Sequence, residues 1–323
     1  MRTNDTASTV GARAWLAALG AFGLAATCGT AGAQPAATAP AACNRACLTG
    51  FVDAYFAALI ANDAAKLPQA ARARITENST EKKLAATFWP GAESAAFRFD
   101  IVNVNRGDTG TEAVIRNADG TKTMFMLRLK VRSGAITEIE TIKANEGEAD
   151  RLWGPDQLTS TASFELSIRE SERDSYYDLI AAAESYWRAF QTNGSPAYHP
   201  ARLLPDSRRY ENGLQTTGVV RNGELQTTAR GFDEGRFLGR NIWDRRYPVV
   251  DEERGVALSI VRFGLKAGAK SQSVATSNDR LVAEFFAIKA GRIQEIQAVL
   301  FNLPDAKPTN WPADYGPAAA SPE

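Results

Sequence analysis

An internal repeat is the feature that most constrains the fold of this chain of 323 residues. Landmarks of the first half recur in the second half in the same order. The matched landmarks are Tyr55 with Tyr186, Glu77 with Glu211 and Ile136 with Ile293, at offsets of 131, 134 and 157 residues. The repeat predicts two copies of one domain, residues 44–145 (the first copy) and residues 172–303 (the second copy), joined by a linker of residues 146–171.

The second copy is longer than the first. The offset grows by 23 residues between the second and third matched landmarks, so an insertion lies between Gly213 and Gly291. Inserted loops at the ends of strands often carry function. We therefore expect the insertion to lie near a functional site.

Each copy begins with a helical pattern and continues with strand patterns. Apolar residues recur every three or four positions from Leu48 and from Ile180, which predicts amphipathic helices. Strand-like runs with turns such as Asp119-Gly120 and Ser133-Gly134 follow, which predicts an antiparallel meander. A helix followed by strands defines the α+β class rather than alternating βαβ units.

The two ends of the chain differ from the repeat. Arg2 and Arg13 precede an apolar run that ends before Ala31-Gly32-Ala33, a pattern typical of a signal peptide over residues 1–33. Periplasmic or secreted localisation follows, with lipidation at Cys28 as a weaker alternative. Proline recurs through residues 304–323, which predicts a tail without long elements.

Few residues are available for metal ligation or for a polyanionic partner. Two cysteines of the mature chain, Cys43 and Cys47, are four residues apart, and in an oxidising compartment they favour a disulfide over a metal site. His199 is the only histidine, so no zinc site rich in histidine can form. Lys plus Arg and Asp plus Glu both number 37, which argues against a nucleic-acid partner.

No apolar segment after the predicted signal peptide is long enough for a membrane span.

Three features together resemble the nuclear transport factor 2-like superfamily, including its SnoaL-like members. They are the long N-terminal helix, a Glu-Asn pair on the first strand and a closing Gly-x-Ile-x-Glu-Ile strand. Cys43-Asn-Arg-Ala-Cys47-Leu and Arg209-Tyr-Glu-Asn-Gly213 also resemble a poorly characterised group of secreted bacterial and fungal proteins. The resemblance implies two cone-shaped domains in tandem, each with N-terminal helices packed on a curved antiparallel sheet.

The superfamily resemblance also implies an apolar pocket that works without a cofactor. Ketosteroid isomerase, scytalone dehydratase, SnoaL-like cyclases and formaldehyde-releasing lyases of lignin-derived compounds share this fold. The implied activity is elimination of water or formaldehyde, or isomerisation, on a hydrophobic aromatic molecule such as a lignin-derived aryl dimer or a polyketide. The alternative is a noncatalytic periplasmic small-molecule-binding or scaffold protein, because the fold also hosts binding and dimerising modules. A homodimer therefore remains open.

Polar residues that suit acid-base chemistry concentrate in the second copy. We predict Glu211 as general base, Tyr210 or His199 as proton donor, and Arg245 or Arg246 as the holder of an oxyanion. Strand alternation sends neighbours to opposite faces, so only one of these two arginines can line a pocket. The predicted substrate-binding residues are Tyr186, Trp187, Trp243, Tyr247 and Glu77.

Structural alternatives exist for each of these residues. Glu211-Asn-Gly also suits a turn, His199-Pro suits the end of a loop, and Asp244-Arg-Arg suits a surface ladder of ion pairs. The first copy could hold the site instead, through Tyr55, Glu77 and Trp89. Its Ile75 is aligned with Tyr210, so the first copy lacks that aromatic residue, and this favours the second copy.

Overall fold

Both copies contain one long helix and one sheet of six strands, as an α+β fold requires. The computed structural model describes residues 43–146, 148, 152–191, 200–265, 279–303 and 310–312. The predicted signal peptide, Cys28, His199 and most of the predicted tail lie outside the described residues.

The two long helices have the same length and keep the offset of the repeat. Helix α1 spans Arg45–Ile60 and helix α2 spans Tyr176–Gln191, each of 16 residues. Asn44 starts α1, because its side chain accepts a hydrogen bond from the backbone N–H of Cys47. The apolar face of each helix is buried, as the helical spacing predicts. A short helix α3, Thr228–Asp233, belongs to the second copy alone.

The first sheet has the strand order β2-β1-β6-β5-β4-β3. Its strands are β1 Gln69–Glu77, β2 Thr80–Glu81, β3 Ala92–Asn103, β4 Asp108–Asn117, β5 Lys122–Arg132 and β6 Ala135–Asn145. Strands β3 to β6 form the predicted antiparallel meander. The expectation of an antiparallel sheet fails at one pairing, since β1 runs parallel to β6. The reason is topological: the chain passes from β1 to the far edge of the sheet, at β3, instead of turning directly into its neighbour.

The second sheet repeats this topology with the order β11-β12-β13-β14-β7-β8. Its strands are β7 Leu203–Glu211, β8 Leu214–Thr217, β11 Arg240–Asp251, β12 Val256–Leu265, β13 Arg280–Lys289 and β14 Arg292–Asn302, and a separate hairpin consists of β9 Val219–Arg221 and β10 Glu224–Gln226. Strand β7 runs parallel to β14, just as β1 runs parallel to β6. The repeat therefore extends to strand order and direction.

Strand register corrects one detail of the alignment. Arg74 pairs with Glu138 in the first sheet, and Arg208 pairs with Glu295 in the second. Arg74 therefore corresponds to Arg208, not to Arg209. With that shift Ile75 corresponds to Arg209 and Thr76 to Tyr210. The earlier pairing of Ile75 with Tyr210 is wrong by one residue, which matters because one residue reverses the face of a strand.

The asparagine of the repeated Glu-Asn pair has a structural role. Asn78 and Asn212 both have a positive φ, 49° and 45°, a conformation that asparagine tolerates better than most residues. The side chain of Asn78 accepts a hydrogen bond from Lys143 N–H and donates one to the Lys143 carbonyl. Asn212 makes the same two bonds with Leu300. This bridge fixes the end of the first strand of each copy to the last strand.

The predicted insertion in the second copy consists of two pieces. Asp108 and Val256 are corresponding residues, because each follows the turn between the first two strands of its meander, and their offset is 148 residues. This offset exceeds that of Glu77 and Glu211 by 14 and falls short of that of Ile136 and Ile293 by nine. Of the 23 extra residues, 14 therefore precede β11 and nine follow β12. The first piece forms the β9–β10 hairpin and α3. The second piece lies in the sequence between β12 and β13, mostly outside the described residues.

The elements stack in the order α1, first sheet, second sheet, α2. One apolar cluster fills the space between α1 and its sheet, and another fills the space between α2 and its sheet. A third cluster lies between the two sheets, on the face of each sheet that points away from its helix. There Phe99 of the first copy contacts Phe285 of the second, with ring centroids 5.0 Å apart. The two copies therefore share a core.

The predicted disulfide is present. Cys43 and Cys47 are bonded to each other at the start of α1. Helices long and apolar enough to cross a membrane are absent from the described residues.

Replacing both cysteines with serine is expected to lower the free energy of unfolding by no more than about 2 kcal/mol, because the disulfide closes only a short loop. Urea unfolding of the mature protein and the double variant measures the difference. Thiol titration of denatured wild-type protein should find no reactive thiol at these positions. Two reactive thiols per chain would contradict the pairing.

Candidate active site

A cavity of about 190 Å³ lies in the second copy, bordered by α2 and the strands facing it. Its aromatic lining consists of Tyr186, Trp187, Phe190, Phe237 and Phe263, and its charged lining consists of Arg209, Glu211, Arg240, Arg280 and Glu284. Phe237 lies between α3 and β11. Aromatic walls with a few polar groups are typical of small-molecule sites.

Arg209 and Glu211 lie in the cavity because alternate residues of a strand share a face. One guanidinium nitrogen of Arg209 lies 3.3 Å from a carboxylate oxygen of Glu211. Another donates a hydrogen bond of 3.1 Å to the hydroxyl of Tyr186. Burial alone would lower the pKa of Arg209, but the neighbouring Glu211 charge and Tyr186 prevail and raise it. Arg209 is therefore a fixed positive charge beside the carboxylate.

Glu284 is a second carboxyl group in the same cavity, and it is 4% exposed. One of its carboxyl oxygens, Oε2, has no hydrogen-bond partner among the described residues. Burial raises the pKa of Glu284 well above its ordinary value; the charge of Arg209 opposes this shift and that of Glu211 adds to it. Glu284 thus keeps its proton to higher pH than an exposed glutamate does.

The first copy has an apolar core where the second has this polar group. The strand partner of Glu77 is Thr141, which pairs on its other side with Leu127. In the second copy, the strand partner of Glu211 is Ala298, which pairs on its other side with Glu284. Leu127 therefore stands where the second copy has Glu284, and Ile75 stands where it has Arg209.

Glu77 is fully occupied by structural contacts. One oxygen accepts a hydrogen bond of 2.6 Å from Lys82, and the other accepts one of 2.7 Å from the backbone N–H of Phe88. Tyr55, the counterpart of Tyr186, accepts a hydrogen bond from the indole of Trp89, which is buried. A cleft of about 650 Å³ beside Glu77 is open and mainly bordered by loop residues. The first copy therefore lacks the paired carboxyl groups of the second.

Three of the predicted site residues line the cavity, and a fourth lies on the opposite face of its strand. Glu211, Tyr186 and Trp187 line the cavity together. Tyr210 lies on the opposite face of β7, against the apolar cluster between the sheets. Since Tyr210 and Glu211 are strand neighbours, the structure does not bring them into one site.

The two predicted arginines lie on opposite faces, as strand alternation predicts, but neither lines the cavity. Arg245 donates a hydrogen bond of 2.7 Å to Glu184 of α2, and Tyr247 donates one of 2.6 Å to the same carboxylate. Arg246 points into the interface between the copies and binds Glu140. The structure places Arg209 in the cavity instead.

Trp243 also lies outside the cavity lining. The guanidinium carbon of Arg262 lies 5.2 Å from its ring centroid. Trp243 pairs with Arg262 on the neighbouring strand, and the register of β11 shifts between Trp243 and Arg246. This bulge interrupts the alternation of faces, so Trp243 lies on the face away from the cavity.

Residue-based reasoning missed Arg209 and Glu284. Glu284 is the single charged residue within the apolar run Leu281–Ile288, and an isolated acid in such a run signals a buried carboxyl group. The alignment of Ile75 with Tyr210 directed attention to Tyr210, the residue next to Glu211. Arg209, two residues before Glu211 and on the same face of β7, is the residue that corresponds to Ile75.

The buried acids predict an unusual dependence of stability on pH. Glu284 and Glu112, whose two carboxyl oxygens lack partners among the described residues, both have a raised pKa caused first by burial. The native state then binds more protons than the unfolded state above a pH of about 4.3. The free energy of unfolding should fall by about 1.4 kcal/mol per pH unit for each group until its native pKa is reached.

Chemical denaturation of wild type, Glu284→Gln and Glu112→Gln at a series of pH values above about 4.3 tests the predicted fall in the free energy of unfolding. Each glutamine variant should remove about half of the decline. A wild-type stability that does not change or that rises with pH would contradict the assignment.

The comparisons with known proteins concern the half of the chain that holds this cavity. Residues 172–300 match the model of a family described as a domain of unknown function, DUF8021. This stretch runs from the turn before α2 into β14. No curated protein matches the chain.

Proposed function

We propose that both copies are nuclear transport factor 2-like domains and that the second is a cofactor-independent lyase or isomerase for a hydrophobic aromatic molecule. The observation that carries the activity is the pair of carboxyl groups, Glu211 and Glu284, that line one aromatic cavity together with Arg209. The shared order of one helix and six strands in each copy supports the fold proposal.

The two carboxyl groups have different environments, which suits two different roles. Glu211 is paired with Arg209 and acts as the base that removes a proton from a substrate hydroxyl or activated carbon. Glu284, whose pKa burial raises, delivers a proton to the departing oxygen or to the carbon left after bond cleavage. Pairs of titratable groups with divergent environments are how one site supplies both acid and base.

Arg209 takes the electrostatic role in this proposal. Its charge lies beside Glu211 and acts on Glu284, and it stabilises the negative charge that develops on the substrate when the proton leaves. Loss of water or of formaldehyde then completes an elimination, and return of the proton at another carbon gives an isomerisation. Every atom of the products comes from the substrate, so the reaction balances without a redox partner.

The alternative is a noncatalytic periplasmic binding or scaffold protein. A binding pocket is expected to be uniformly apolar or filled, whereas an enzyme pocket is expected to hold a carboxyl group with few compensating partners. Glu284 has an unpartnered oxygen among the described residues, and this feature favours the enzyme.

Mass spectrometry of the mature protein incubated with hydroxylated aromatic compounds tests the proposal. An enzyme-free sample is the control. We expect a product lighter by water or by formaldehyde, or a product of equal mass with a new chromatographic position. Compounds that bind and are recovered unchanged would favour the binding protein.

A further inference from the structure

The disulfide at the start of α1 encloses an arginine that binds the other copy. Cys43 and Cys47 are bonded to each other, and Arg45 lies midway between them in the sequence. The ring that the disulfide closes therefore holds the backbone of Arg45 between two fixed points. This ring determines where the side chain of Arg45 begins.

Arg45 reaches from the first copy to the end of β11 and the turn after it in the second. Two of its guanidinium nitrogens donate hydrogen bonds of 2.9 and 2.6 Å to the two carboxylate oxygens of Asp251. The third nitrogen donates one of 3.0 Å to Glu253. Because a planar guanidinium group must be correctly oriented to bind a carboxylate with two parallel bonds, this contact depends on the position of the Arg45 backbone.

Asp251 depends on Arg45 for the balance of its charge. The side chain of Asp251 is 0% exposed, whereas that of Arg45 is 22% exposed. In the described part of the chain, Arg45 is the one cationic group that forms an ion pair with Asp251. A buried carboxylate that loses its cation is strongly destabilised. Release of Arg45 should therefore loosen the other contacts of Asp251.

Those other contacts include the edge of the first sheet. One oxygen of Asp251 accepts a hydrogen bond of 2.9 Å from the backbone N–H of Val102, in the edge strand β3. The other oxygen accepts one of 3.2 Å from the backbone N–H of Arg254, in the turn after β11. Asp251 is thus the point where α1, β3 and the second copy meet.

The disulfide is accessible, and Arg45 has room to move. Cys47 is exposed and Cys43 is partly exposed. A cavity of about 290 Å³ beside Arg45 is lined by residues of both copies, including Val102 and Arg254. A small thiol can therefore reach the disulfide, and the arginine side chain can leave Asp251 without displacing the apolar core.

We propose that the Cys43–Cys47 disulfide is a redox-sensitive latch that holds Arg45 on Asp251 and thereby fastens the two copies to each other. A dithiol opens the latch. One of its sulfurs bonds to a cysteine sulfur as the protein S–S bond breaks, and its second sulfur then displaces that cysteine. Two electrons and two protons pass to the protein, which leaves two cysteine thiols and a cyclic disulfide of the reductant. The latch closes in an oxidising compartment and opens in a reducing one.

Hydrogen exchange of the Val102 amide, with and without dithiothreitol, tests the proposal, and alkylation with mass spectrometry establishes the redox state of each sample. Opening the ring of residues 43–47 should free the first turn of α1 and speed this exchange by about 10- to 30-fold. The amide of Asn212, bonded to Ala298 within the second copy, should keep its rate. An unchanged Val102 rate after complete reduction, or equal acceleration at both amides, would overturn the proposal.

Two changes to the latch itself locate the effect. The double variant Cys43→Ser/Cys47→Ser should show the fast Val102 exchange without any reductant. Arg45→Gln should exchange fast in both redox states and show no further response to dithiothreitol. If that variant does not fold, Arg45→Lys should show a smaller response than wild type, because lysine keeps the charge and lacks the planar fork. A full response without Arg45 would overturn its role.

Arg98→Gln is the matched control for the arginine. Arg98 lines the same cavity, but its carboxylate partners Asp53 and Asp100 belong to its own copy. This variant should keep the full response of the Val102 amide to dithiothreitol. Loss of the response in Arg98→Gln as well as in Arg45→Gln would overturn the assignment of the latch to Arg45.

Discussion

Replacing Glu140 with alanine is expected to lower the free energy of unfolding by about 3–5 kcal/mol, because it leaves a buried arginine without its carboxylate. Both oxygens of Glu140, in β6 of the first copy, accept hydrogen bonds from Arg246 in β11 of the second. Arg128 donates a further bond of 3.0 Å. Glu140 and Arg246 are 2% and 4% exposed, so the guanidinium group of Arg246 stays away from bulk water after its partner is removed.

The charge of Glu140 is maintained against its burial. Burial would raise the pKa of its carboxyl group, but the charges of Arg246 and Arg128 outweigh this and lower the pKa. Glu140 therefore stays ionised and joins the two copies through a charged contact within their interface. This contact accounts for Arg246, which the sequence suggested as a catalytic residue.

Glu138→Ala is the matched control on the same strand. Glu138 also accepts a hydrogen bond from Arg128, of 2.6 Å, but its side chain is 25% exposed. A partly exposed ion pair is worth at most about 1 kcal/mol. Urea denaturation should therefore separate the two variants clearly, and equal losses of stability would show that burial of Glu140 does not have the stated effect.

The order of elements was predictable because helical and strand periods are local properties. Apolar spacing located α1 and α2, and alternating runs located β3 to β6. The parallel pairing of β1 with β6 depends on residues more than sixty positions apart, such as Arg74 and Glu138. No local period reports such a contact, so this pairing could not be predicted from the runs alone.

The candidate site was only partly predictable, and strand alternation explains why. The rule correctly separated Arg245 from Arg246. Applied to Arg209, Tyr210 and Glu211, the same rule places Arg209 with Glu211 and excludes Tyr210. What the rule cannot tell is which face meets the helix, because that depends on the packing of α2 against the whole sheet.

Replacing Glu211 with glutamine is expected to reduce turnover by about 10²–10⁴-fold, equivalent to roughly 3–5 kcal/mol in the activation barrier. Glutamine keeps the size of the side chain and its place beside Arg209, but it cannot accept the substrate proton as a carboxylate does. Substrate affinity should change much less than turnover, since the aromatic walls remain.

Glu77→Gln is the matched control, because Glu77 occupies the same strand position in the first copy. Its carboxylate is held by Lys82 and the backbone of Phe88 and has Leu127 where Glu211 has Glu284. The variant should lose some stability and keep its turnover once folded. Circular dichroism and thermal unfolding confirm that both variants are compared in the folded state.

The turnover number of Glu211→Gln beside that of Glu77→Gln, measured on one substrate found by mass spectrometry, tests most directly whether the active site lies in the second copy. We expect the first variant to lose at least about 100-fold and the second to remain close to wild type. Wild-type turnover in Glu211→Gln together with loss of turnover in Glu77→Gln would place the site in the first copy and contradict this account.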